Sequence, residues 1–178
     1  MASTAEAPDG PYGGMSMCPP WFEELYKRNN NVLHRVLLRS CGPATVEEIR
    51  QETFLRAWKN RDKLERLHEN QQRVWLLTTA RRLAIDSRRT MNREAATPIS
   101  DVAAPNDQYQ QVDQADKVRQ ALSRLPTKQQ EVLALRYIAD LQVREIADIL
   151  DLTQTAVTTR LHRARSAFKQ AYGQGGTR

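Results

Sequence analysis

Near the end of the chain, the stretch TQTAVTTRLHRAR sets Thr155, Thr158, Thr159, His162 and Arg163 at steps of three and four, one side of a helix. Val157, Leu161, Ala164 and Phe168 recur at i, i+4, i+7 and i+11 and form the other side. Hydroxyls, an imidazole and a guanidinium on one exposed helix face can reach base edges, while arginines clamp phosphates. From Gln154 onward there are four arginines, one lysine and no acid. The chemistry on offer is recognition of a polyanion.

Two further constellations lie upstream. Glu48, Gln51, Glu52 and Leu55 fall at i, i+3, i+4 and i+7, an exposed stripe of carboxylate and amide with one lone apolar side chain. A stripe of this kind is either a solvated face or a docking face for a basic helical partner. Between Arg73 and Arg93, Asp86 is the only acid. There Arg81, Arg82, Ile85, Arg88 and Arg89 oppose an apolar side made by Trp75, Leu76, Thr79, Ala80, Leu83 and Ala84. That is a second basic surface, separate from the first.

Catalysis has no comparable support. His34, His68 and His162 have no partner at catalytic spacing, and neither a Gly-rich phosphate loop nor a nucleophile motif is present. The expectation is a protein that is not an enzyme, with no cofactor, no metal and no small-molecule substrate. Cys18 and Cys41 stand far apart without a CxxC pair, so reduced, inert thiols are expected rather than a disulfide or zinc site. No apolar run is long enough to span a membrane, so no membrane insertion is expected. The first residues lack the basic start and apolar core of a secretion signal, which points to the cytoplasm. Lys plus Arg outnumber Asp plus Glu by 27 to 21 in the 178 residues, a net charge of +6 that favours an anionic partner.

The elements that must position these residues are all helices. Phe22, Leu25, Tyr26, Leu33, Val36 and Leu37 mark an amphipathic helix, broken by Cys41-Gly42-Pro43. Thr45 reads as the N-cap of the next helix, with Glu47 and Glu48 in its first turn and Val46, Ile49, Phe54, Ala57 and Trp58 turned inward. A charged stretch, RDKLERLHENQQ, reads as a loop before the helix from Arg73. Between Glu94 and Asp116 there are five acids, two prolines and no Lys or Arg, the composition of a linker. Helical patterning resumes by Val118. Ile146, Ala147, Ile149 and Leu150 then face inward ahead of a turn near Asp151 and the basic helix. The fold class is therefore all-α: two small helical domains joined by a flexible acidic linker, the C-terminal one a helix-turn-helix. The expected boundaries are a flexible tail over 1–20, one domain over 21–93, the linker over 94–116, the second domain over 117–172 and a tail over 173–178. Met15 could serve as an alternative start.

Three blocks in this order, IRQETFLRAW, WLLTTARRLAIDSRR and LSRLPTKQQEVLALRYIADLQVREIADILDLTQTAVTTRLHRAR, resemble bacterial RNA polymerase sigma factors of the extracytoplasmic-function group of the sigma-70 family. The match covers roughly Phe22 to Lys169. It implies that the first domain is sigma region 2 and the second region 4. By that resemblance Glu48, Gln51, Glu52, Phe54 and Leu55 belong to the segment that docks on the clamp helices of the polymerase β′ subunit, with the β flap as a further contact of the core enzyme. Arg81, Arg82, Arg88 and Arg89 would recognise and open the −10 element, and Asn70, Gln71 and Gln72 lie where relatives form the pocket for a flipped base. Opening costs a few kcal/mol per unstacked step, which binding to the separated strand must supply. Thr155, Thr158, Thr159 and His162 would face the −35 element, with Arg160 and Arg163 on phosphates.

Two departures stand out. Asp151 occupies a turn position usually held by Gly, although Asp tolerates the left-handed conformation better than most residues. Thr155-Ala156-Val157 replaces the family's Gly-Thr-Val. The linker fits the reading: about twenty residues at ~3.5 Å each span roughly 70 Å, about two turns of DNA. The implied partners are core RNA polymerase, promoter DNA and an anti-sigma factor. The rival reading is a stand-alone helix-turn-helix regulator, which explains the C-terminal half but gives the acidic stripe and the second basic helix no purpose.

Overall fold

The structure, a computed structural model, describes residues 19–94 and 114–174, with side chains placed over 19–90 and 116–173. Most of the expected N-terminal tail, including Met15 and Cys18, most of the expected linker and residues 175–178 lie outside the described residues. Among those described there is no strand, as the absence of any period-two pattern implies. The helices are α1 (Pro20–Leu37), α2 (Pro43–Lys59), α3 (Arg61–Leu64), α4 (Glu69–Glu94), α5 (Gln114–Ser123), α6 (Thr127–Tyr137), α7 (Val143–Leu150) and α8 (Gln154–Gln174).

Proline starts two of them. Pro20 and Pro43 sit in the first turns of α1 and α2, where a missing N–H costs nothing and a fixed φ is already helical. This corrects the expected cap at Thr45. The N-cap of α2 is Gly42, whose carbonyl accepts the Val46 N–H at 3.0 Å, so the helix begins earlier and Glu47 falls in its second turn. Within RDKLERLHENQQ the short helix α3 forms, and α4 starts at Glu69 rather than Arg73. Its head is tied to α1 by the ion pair of Arg28 with Glu69.

Helices α1, α2 and α4 pack on one another around Leu25, Leu33, Val46, Leu64 and Leu76, all fully buried. Trp21, Phe22, Tyr26, Phe54 and Trp58 seal one end, with Phe22 edge-on to Trp58 at 5.2 Å and Tyr26 tilted over Phe54 at 4.7 Å. In the second half α8 packs against α5, α6 and α7 around Val132, Leu135, Leu141, Ile146 and Val157. Each such side chain contributes about 1.5–3 kcal/mol, against ~0–1 for a surface ion pair, so the apolar faces decide the fold. The two halves also touch: α4 lies against α7 and α1 against α6, and their buried residues join in one apolar cluster.

Candidate nucleic-acid and partner interfaces

The C-terminal face is built as its apolar period dictates. Ile146, Ala147, Ile149 and Leu150 are buried on α7, and Val157, Leu161 and Ala164 meet them from α8. The Gln142 N–H donates to Glu145 Oε2 at 2.8 Å and starts α7 firmly. Asp151 then turns the chain at φ 55° and ψ 54°, the left-handed conformation expected of the residue standing where Gly is usual. The Thr153 hydroxyl accepts the Ala156 N–H at 3.2 Å and caps α8.

With its apolar side buried, α8 presents Thr155, Thr158, Thr159, His162 and Arg163 to solvent, while Arg160 is half-buried. One further group joins them. Arg165, counted in the basic tail but not as a site residue, donates Nε–H to the Tyr137 hydroxyl at 2.9 Å and sits 5.8 Å from that ring's centre. Tyr137 is 62% exposed, so the pair stands at the surface beside the threonine face. The partner comes from α6, 28 residues away, and no local pattern announces it.

On α2, Glu48, Gln51 and Leu55 are exposed and Glu52 is partly so. Leu55, 55% exposed, is the apolar spot in a polar stripe. Arg56 donates to Glu52 at 2.8 Å and Gln51 to Glu47 at 3.2 Å, which holds the stripe in order. The Arg50 side chain bonds Glu47 and keeps its carboxyl below the usual range. Phe54 departs from the group: it is 6% exposed and packs between Phe22 and Tyr26, so it supports the stripe from beneath.

The basic helix α4 divides differently from its sequence pattern. Arg82, Arg88 and Arg89 are exposed. Arg81 is not: its Nε–H donates to Glu131 of α6 at 3.1 Å. Asn70 hydrogen-bonds Glu145 of α7, and Arg73 bridges Asn29 Oδ1 and the Ala139 carbonyl, both at 3.2 Å. Gln71 is exposed and accepts the His68 N–H at 3.2 Å. Gln72 departs from the base-pocket expectation. It is 7% exposed, and its amide donates to the carbonyls of Leu64 (2.9 Å) and Leu67 (3.1 Å), closing the turn between α3 and α4. A loop that leaves two carbonyls inside the protein needs a buried donor, and Gln72 supplies both bonds.

Among the described residues no cluster of His, Cys, Asp and Glu could hold a metal ion, and no helix is long and apolar enough to cross a membrane. Burial raises the half-buried Cys41 thiol above its ordinary 9.0, against the opposing pull of Arg88.

Comparison with known families places two matches on the chain: "Sigma-70 region 2" over residues 25–94 and "Sigma-70, region 4" over residues 115–168. The ECF RNA polymerase sigma factor SigW of Bacillus subtilis is 30% identical over 163 residues, 83% of this chain and 84% of the relative. The ECF RNA polymerase sigma factor SigL of Mycobacterium tuberculosis is 30% identical over 151 residues, 82% and 85%. In fold the chain is similar to the sigma factor RpoE of Bartonella quintana, solved with the anti-sigma factor NepR: TM-score 0.69 at 22% identity, covering 86% of this chain and 97% of that one.

Proposed function

Since this chain belongs to the extracytoplasmic-function group of the sigma-70 family, we infer that it is an alternative sigma factor, a subunit that binds core RNA polymerase and directs it to its promoters. The observation that carries the reading is the pairing, on one chain, of region 2 with region 4, the latter presenting a threonine-rich, acid-free recognition helix. A sigma factor does no bond chemistry itself. The polymerase supplies that, so this chain needs only surfaces, and it works where the polymerase does, in the cytoplasm.

The surfaces divide by charge. Glu48, Gln51, Glu52 and Leu55 on α2 form the core-docking stripe, with the carboxylates supplying orientation and Leu55 an apolar anchor. Arg82, Arg88, Arg89 and Gln71, with Asn70 and Arg81 once freed from Glu145 and Glu131, take the −10 element. Thr155, Thr158, Thr159 and His162 read the −35 element in the major groove, and Arg160 and Arg163 hold phosphates. Residues 21–93 act as region 2, 94–116 as the tether and 117–172 as region 4. An anti-sigma factor restrains the protein; the support is its likeness in fold to RpoE, which is solved with NepR.

The test is run-off transcription. The purified chain is mixed with sigma-free core polymerase on a pool of genomic promoter fragments, alongside a Glu48→Lys, Leu55→Ala variant. Specific transcripts that fall at least tenfold with the variant support the reading. Absence of transcripts, while the chain alone shifts duplex DNA, replaces it with a stand-alone regulator.

A further inference from the structure

Resting on the reading of α8 as the −35 helix, we propose that Tyr137 is a positioning residue for promoter binding. Its hydroxyl holds the Arg165 guanidinium ready for one DNA phosphate at the edge of the −35 major groove.

Tyr137 stands out first by its exposure. It ends α6 with 62% of its surface in solvent, more than Tyr26, Leu55 or Val118, the other large apolar side chains left outside among the described residues. A ring so exposed stabilises the fold little, because most of its area stays in water. Its backbone is nonetheless fixed. The Ile138 N–H donates to the Ala134 carbonyl at 2.8 Å, and Nη1 of Arg136 donates to the Leu141 carbonyl at 2.7 Å. Ala139 and Leu141, just beyond, are fully buried. The protein thus holds an aromatic ring at its surface on an anchored turn.

The ring in turn holds Arg165. Its Nε–H donates to the Tyr137 hydroxyl at 2.9 Å, and the guanidinium carbon lies 5.8 Å from the ring centre. The partner is a neutral hydroxyl, so the contact orients the charge without cancelling it. With Nε facing the hydroxyl, the two Nη groups remain at the other end of the fork, the pair that grips a phosphate bidentately. A free arginine side chain has large rotamer freedom, and holding it beforehand lowers the ordering cost of binding.

The position suits a strand edge. Thr158, His162 and Arg165 follow at i, i+4 and i+7, one stripe of α8. Arg165 lies about 10 Å along the axis from Thr158, at ~1.5 Å per residue. The major groove is ~12 Å wide and bounded by phosphates. With Thr158 over base edges, Arg165 and Tyr137 therefore come to a bounding strand. A contact there specifies no base but fixes how α8 sits in the groove.

The same hydrogen bond could instead serve as a brace between α6 and α8. Those helices already pack through a buried apolar face that includes Val132, Leu135 and Val157, beside which one surface hydrogen bond adds little.

The experiment interrogates single phosphates. The full chain is assembled with core polymerase on the best-transcribed fragment of the run-off pool, with phosphates through the −35 element replaced one at a time by neutral methylphosphonate. The wild-type holoenzyme should lose about tenfold in affinity at one such position, the scale of one charge-assisted contact. Arg165→Ala should erase that loss. Tyr137→Phe, which keeps the ring, should reduce it to about two- to threefold, and should cost nothing further once Arg165 is replaced. The melting temperature of Tyr137→Phe should stay within ~2 °C of the wild type. Equal losses in wild type and Tyr137→Phe, or a lowered melting temperature with the phosphate profile unchanged, overturn the positioning role and leave a brace. Absence of transcripts from every fragment removes the reading of α8 itself, and the phosphate contact with it.

Discussion

Gln72 separates structure from base reading. Replacing it with Ala removes two donors and leaves the carbonyls of Leu64 and Leu67 unpaired beneath the α3–α4 turn. Each lost bond costs about 1 kcal/mol, and the unmet carbonyls and lost packing bring the total to about 2–4 kcal/mol. For a chain of this size the melting temperature should fall by about 4–16 °C. Gln72→Glu should do worse at neutral pH, because a carboxylate accepts only and cannot serve two acceptors. A carboxyl at that buried site has its folded pKa raised, since only the protonated form can donate. The sign follows: stability is fully present below the unfolded value near ~4.3 and lost as pH rises through the folded one. Thermal melts of both variants between pH 4.5 and 7.5, together with transcription on promoters randomised in the −10 element, make the test. An unchanged melting temperature with a changed base preference would refute the structural role and return Gln72 to the base pocket.

Further outcomes can be checked in parallel. Asp151→Gly should stabilise the chain by about 0.5–1 kcal/mol in urea unfolding, since Gly bears no strain at φ 55°. Arg163→Ala and Arg165→Ala should each weaken holoenzyme binding evenly across −35 variants and lower the salt slope by ~1, whereas Thr158→Val should alter the preferred −35 sequence. Cys41 should react with iodoacetamide more slowly than an exposed thiol at pH 8. Its pKa is raised in the folded state, so its contribution to stability holds below 9.0 and fades as pH climbs beyond that.

The helix-turn-helix was legible because its information is local. Ile146, Ala147, Ile149 and Leu150 lie within a single turn and a half, and the residues that bury α8 repeat along it. What sequence periodicity could not reveal is the second packed side of α4. The partners of Arg81 and Asn70 lie 50 and 75 residues away, so a guanidinium in an ion pair looks the same in the sequence as one in water. Gln72 was misplaced for a related reason: a polar side chain counts as exposed in any amphipathic reading, although unpaired loop carbonyls can draw one inside. The cap of α2 was expected at Thr45, but Pro43, whose rigid φ is already helical, starts the helix and leaves Gly42 as its cap.

All three tryptophans of the chain, Trp21, Trp58 and Trp75, fall before residue 94. Trp21 and Trp58 stack nearly parallel at 6.5 Å. Indole emission therefore reports on one half of the molecule, while circular dichroism sums the helices of both. The chain carries its own comparison of probes. Coincident melts by the two signals mean that the halves unfold as one cooperative unit. Melts that diverge once Glu131 is replaced give the coupling between the halves directly, with no label attached.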